Sequence, residues 1–92
     1  LPVGEVTEGP ITGEAVIIGA LGMKGAGVQV CLRDSAGKVD VKCTVADEFG
    51  EYLLSVKPGI YFLAARANGA VLEEKRVDLR GGGYFRNLLS PR

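Results

Sequence analysis

The chain has 92 residues, 11 Lys and Arg against 11 Asp and Glu, 14 glycines, two cysteines and no histidine. The length suits one domain, and the missing histidine excludes Ser-His-Asp and Cys-His nucleophile systems, histidine-ligated metals and an imidazole proton shuttle. A net charge of zero gives no long-range field for a phosphate backbone, so no nucleic-acid partner is expected.

Glycine and proline punctuate runs rich in Val, Ile, Leu, Tyr and Phe, the rhythm of an all-β sandwich. Residues 1–11 read as an extension or linker and residues 12–92 as the domain. The chain opens on Leu1 rather than methionine, which predicts a processed or excised piece of a longer protein.

The first predicted strand, Thr12 to Gly19, holds Ala15-Val16-Ile17-Ile18, the longest apolar run and far short of the roughly 18–20 residues of a membrane span. It is apolar on both sides. The second, Gly27 to Arg33, alternates Val28, Val30 and Leu32 with Gln29, Cys31 and Arg33, which assigns one buried and one polar face.

Asp34-Ser35-Ala36-Gly37-Lys38 turns the chain into the third strand, Val39 to Val45, and Asp47-Glu48-Phe49-Gly50 turns it into the fourth, Glu51 to Val56. There Tyr52 and Leu54 oppose Leu53 and Ser55. Lys57-Pro58-Gly59 precedes the fifth strand, Ile60 to Ala67, whose faces are Tyr61, Leu63, Ala65 and Ile60, Phe62, Ala64. Asn68-Gly69 is a hairpin signal leading to the sixth strand, Val71 to Leu79. Gly81-Gly82-Gly83 reads as a turn or bulge before the last strand, Tyr84 to Leu89, because no strand-to-helix context makes it a phosphate loop. No stretch carries helical periodicity.

Gly25-Ala26-Gly27-Val28-Gln29-Val30, Thr44 to Leu54 with its Asp47, Gly50 and Tyr52, and Lys57-Pro58-Gly59-Ile60-Tyr61-Phe62-Leu63 together resemble the carboxypeptidase regulatory-like domains. These are transthyretin-like, or prealbumin-like, sandwiches related to the Cna B-type repeats of bacterial surface proteins. The resemblance spans about Thr12 to Leu89 and implies a seven-stranded antiparallel Greek-key β-sandwich. Independently of it, Asp47 suits backbone N–H acceptance in its turn, Gly50 a conformation that opposes a β-carbon, Tyr52 a core ring, and Pro58-Gly59 the reversal that returns Tyr61.

The enzymatic members of this fold, the transthyretin-related hydrolases of urate breakdown, use histidines that this chain lacks. The isopeptide bond of many Cna B-type repeats is not expected either. Asn87 stands in the last strand, but Ile17 and Ile18 occupy the place of the lysine, Lys24 falls in the following loop, and Ala65 replaces the assisting acid.

Cys31 and Cys43 lie on adjacent predicted strands around Gly37, and two readings stand, a cross-strand disulfide or two thiols acting as small apolar fillers, while a two-cysteine metal site is not expected. The acids Asp47, Glu48 and Glu51 lack the alternating spacing of a calcium loop and are accounted for by the turn. Neither a metal nor a cofactor is expected. Tyr84 and Phe85 are neighbours, so one faces outward, and with Ile18, Ile60 and Phe62 they are the apolar residues that alternation leaves surplus to a single core.

The expectation is therefore a non-catalytic structural or protein-interaction module of a larger extracellular, cell-surface or periplasmic protein, contacting neighbouring domains of the parent chain, another protein, or a second copy. The alternative is a ligand- or glycan-binding accessory domain of an exported peptidase or polysaccharide-degrading enzyme. That alternative requires Tyr, Asn and Arg gathered at one loop end.

Overall fold

The computed structural model describes residues 13–91, so residues 1–11, expected as an extension, lie outside it, as does Thr12. The strands among the described residues are β1 (Ala15–Ala20), β2 (Gln29–Arg33), β3 (Asp40–Val45), β4 (Glu51–Val56), β5 (Ile60–Ala67), β6 (Ala70–Asp78) and β7 (Gly83–Arg86). They form a three-stranded sheet in the order β4-β1-β7 and a four-stranded sheet in the order β3-β2-β5-β6. A short 3₁₀ turn, Met23–Gly25, lies between β1 and β2.

Alternation places the core between the sheets. Ile17 from β1, Val30 and Leu32 from β2, Leu54 from β4, and Leu63 from β5 are almost wholly buried. At about 25 cal/mol per Å² of apolar surface, each such side chain contributes roughly 1.5–3 kcal/mol. The inward phase predicted for the second, fourth and fifth strands matches, and on their other face Gln29 and Leu53 are exposed and Ile60 and Phe62 half-buried, but Cys31, expected on a polar face, and Ala64 are fully buried there.

Turn chemistry sets the local reversals. Asp34 Oδ1 accepts from Lys38 N at 2.9 Å, closing the β2–β3 turn. Asp47 Oδ1 accepts from Phe49 N and Glu51 N, both at 2.9 Å. Gly50 follows at φ +79°, and a β-carbon there would overlap the carbonyl of Gly22. That close approach joins the β3–β4 turn to the β1–β2 loop, where Leu21 N donates to Gly50 O at 2.8 Å. Asn68 and Gly69 both have positive φ, as a type I′ hairpin needs.

The sheets are also tied along both open sides. Lys42 Nζ donates to Ser55 O at 2.8 Å, linking edge strands β3 and β4. On the other side the chain leaves β7 and crosses to β6, where Lys75 Nζ donates to Leu88 O and Ser90 N donates to Glu73 Oε1, each at 3.0 Å.

The pairing is not antiparallel throughout. β1 runs antiparallel to β4 but parallel to β7, Ile17 standing opposite Phe85. Hairpin chemistry favours antiparallel neighbours, whereas β1 and β7 lie far apart in the sequence and no tight turn sets their relative direction. The last strand also ends earlier than expected, at Arg86, because Asn87 adopts φ +53° and turns the backbone away.

Candidate functional site

Three surface features emerge from this frame. The first is the outer face of the three-stranded sheet. In register, Leu53, Ile18 and Arg86 form one row, and Ser55, Val16 and Tyr84 form the next. Leu53 is 58% exposed and Tyr84 49% exposed. The Arg86 guanidinium lies 5.8 Å from the Tyr84 ring centroid, within reach of a cation–π contact. Ser55 Oγ donates to Glu14 Oε1 at 2.8 Å along one border of this band.

This arrangement divides the expected interface residues between different faces. Ile18 and Tyr84 do share a face, but Ile60 and Phe62 belong to the outer side of the other sheet. Phe62 is partly covered there by the β2–β3 turn, its ring 3.6 Å from where a Gly37 β-carbon would stand. Phe85 turns inward against the core, leaving Tyr84 as the outward member of the pair. Sheet membership of the strands separates these residues, and alternation within a strand carries no information about it. Leu53 completes the band instead, beside the largely buried Val16; the outward phase of Leu53 was legible in its strand.

The second feature is an open groove of about 590 Å³ that brings Tyr52, Arg86 and Asn87 together with Thr44, Asp47 and Glu51. Asn87 is fixed at both ends: its N–H donates to Ile18 O at 2.9 Å and its Oδ1 accepts from Ala20 N at 3.3 Å. Tyr52 is 5% exposed and its buried Oη makes no hydrogen bond of good geometry. Burial pushes its pKa up; the Leu89 backbone N–H opposes that rise and the Glu73 carboxylate adds to it.

The third feature is the edge formed by β2 and β3. Cys31 and Cys43 stand directly opposite each other with Cα atoms 4.1 Å apart and are joined as a disulfide. Beside them Arg66 clasps Asp40 through Nη1 and Nη2 at 3.0 and 2.7 Å, and Arg33 Nε lies 3.4 Å from Asp40 Oδ1. The Arg66 guanidinium holds the Asp40 carboxyl below its ordinary range, with Arg33 adding to the effect. A bulge between Leu32 and Arg33 brings Asp40 into line with Arg33, an offset that strand patterning does not reveal.

The remaining motif residues serve the turns. Tyr61 Oη donates to Lys57 O at 2.7 Å, and Leu79 N donates to Gly59 O at 2.7 Å, so the Pro58-Gly59 reversal is tied to both β5 and the end of β6. Among the described residues, no helix is long and apolar enough to cross a membrane. Compared with protein-family models and with characterised proteins, the chain matches none.

Proposed function

We propose that the chain is a transthyretin-like, carboxypeptidase regulatory-like Greek-key sandwich of seven strands, acting as a non-catalytic structural or protein-interaction module of a larger exported or surface protein. The strand order β4-β1-β7 over β3-β2-β5-β6 supports the fold reading. The Cys31–Cys43 bond supports an oxidising compartment. The absence of histidine from the sequence supports a role other than nucleophilic catalysis.

The observation that carries the interaction reading is the apolar band of Ile18, Leu53 and Tyr84 around the largely buried Val16, with Leu53 more than half exposed. A face of this kind, bordered by charge, suits the neighbouring domain of the same polypeptide. Carbene footprinting of the parent protein against the isolated domain tests this. Protection of Leu53 and Tyr84 only in the parent is expected, and equal labelling in both overturns the reading. Protection that instead depends on domain concentration assigns the face to a second copy.

A second reading, the ligand- or glycan-binding accessory domain, is favoured by the groove that gathers Tyr52, Arg86 and Asn87. Amide chemical-shift changes confined to this groove during titration with neutral and acidic oligosaccharides would support it. A flat response across the panel would remove it.

A further inference from the structure

The Sγ atoms of Cys31 and Cys43 and a carboxylate oxygen of Asp40 all lie within 4.8 Å of one another. We propose that, once the disulfide is reduced, these three residues form a binding site for a thiophilic divalent cation of the zinc class.

The ladder supplies the preorganisation. Cys31 and Cys43 are opposed residues of β2 and β3, so both sulfurs leave the same face of the sheet, and Arg33 opposite Asp40 brings the carboxylate to that face. Cys31 is fully buried while Cys43 and Asp40 are exposed, which gives the ion a route from solvent. Two thiolates and a carboxylate form the mixed S/O donor set that zinc accepts, with water completing a tetrahedron; calcium and magnesium prefer oxygen donors alone.

The local charge also fits. Two thiolates and one carboxylate around a divalent ion leave one net negative charge, and the guanidiniums of Arg33 and Arg66 stand beside it. The same cations favour thiolate over thiol. Arg66 need not be displaced, because a carboxylate offers about four lone-pair sites and can accept from a guanidinium while donating one pair to a metal.

The chemistry balances. A dithiol reductant passes two electrons and two protons to the Cys31–Cys43 bond and becomes a disulfide itself, leaving two thiols. Metal binding then releases both thiol protons to solvent. The inference is independent of the apolar-band reading.

The test is an anaerobic Co²⁺ titration of the protein reduced with a dithiol that is then removed by gel filtration, followed by competition with Zn²⁺. Expected are one Co²⁺ per chain, a thiolate-to-cobalt charge-transfer band bleached by Zn²⁺, no band in the oxidised protein, and retained strand circular dichroism. Asp40→Asn should weaken binding at least about tenfold, the order seen when metal-site partners are lost. Cys31→Ser should abolish the band. The proposal is overturned by a reduced protein without the band, by an Asp40→Asn variant of unchanged affinity, or by metal uptake only in a chain that has lost its strand signal.

Discussion

The ring of Tyr52 lies across Gly19, its register partner between β4 and β1, so closely that a β-carbon on Gly19 would overlap the phenol ring and its oxygen. The bare backbone of one strand is thus the seat of the aromatic ring from the other. Gly19→Ala should destabilise the domain by about 1–3 kcal/mol, the usual cost of overpacking. Tyr52→Phe should change stability by less than about 1 kcal/mol, since the buried Oη it removes makes no hydrogen bond of good geometry. Urea unfolding of both variants checks the contrast; an equal loss in the two would show that the hydroxyl, rather than the ring, matters.

Leu53 and Leu54 are sequence neighbours with opposite surroundings, 58% and 1% exposed. Leu54→Ala should cost about 2–5 kcal/mol through lost burial and the cavity left behind. Leu53→Lys should stay within about 0.5 kcal/mol in the isolated domain. Thermal unfolding of the two variants tests the assignment of faces, and a large loss from Leu53→Lys would mean that the outer band is already covered within one copy.

Gly50 combines φ +79° with the blocked approach to Gly22. Alanine there must adopt a conformation costing about 1–3 kcal/mol and also push two loops apart, so Gly50→Ala should lose about 3 kcal/mol or more. Chemical denaturation with an unchanged m-value would confirm a stability effect, while a wild-type midpoint would refute the steric argument.

Cys31 and Cys43 are 12 residues apart, and linking them should stabilise the domain by about 2–4 kcal/mol. Calorimetry of the oxidised protein, the reduced protein and a Cys31→Ala/Cys43→Ala double variant measures this. Reduced protein and double variant should melt at similar temperatures in metal-free buffer, both below the oxidised form.

Acid sensitivity follows from carboxylates whose pKa values folding lowers. The Arg80 side chain and its backbone N–H draw Asp78 down from 3.8 to about 2. Backbone N–H groups led by that of Lys38 lower Asp34, and Arg66 lowers Asp40. For a lowered carboxylate the contribution is fully present above the unfolded pKa near 4 and disappears as pH falls through the folded value. The melting temperature should therefore hold above about pH 5 and decline from about pH 4 toward pH 2. Asp78→Asn should show a shallower decline, and added salt should flatten the wild-type slope, since the Asp78–Arg80 pair is exposed. Parallel curves for variant and wild type would contradict the Asp78 assignment.

Much of the architecture was legible residue by residue. The Asp47 turn, the Pro58-Gly59 reversal, the Asn68-Gly69 hairpin and the inward phase of Val30, Leu32 and Leu54 depend on contacts within a few residues, where side-chain type limits the backbone directly. The opposed cysteines lay within reach of the same reasoning, because one short hairpin joins their strands; choosing between disulfide and thiols required the register itself.

What local chemistry left open was which strands share a sheet. The parallel seat of β7 beside β1, the division of Ile18 and Tyr84 from Ile60 and Phe62, and the gathering of Tyr52, Arg86 and Asn87 around one groove all join residues far apart in the chain. Period-two alternation tells a side chain which way to face but not what it will face. Those contacts form only when both sheets close over a common core, and the free energy that selects them belongs to the packed whole rather than to any single segment.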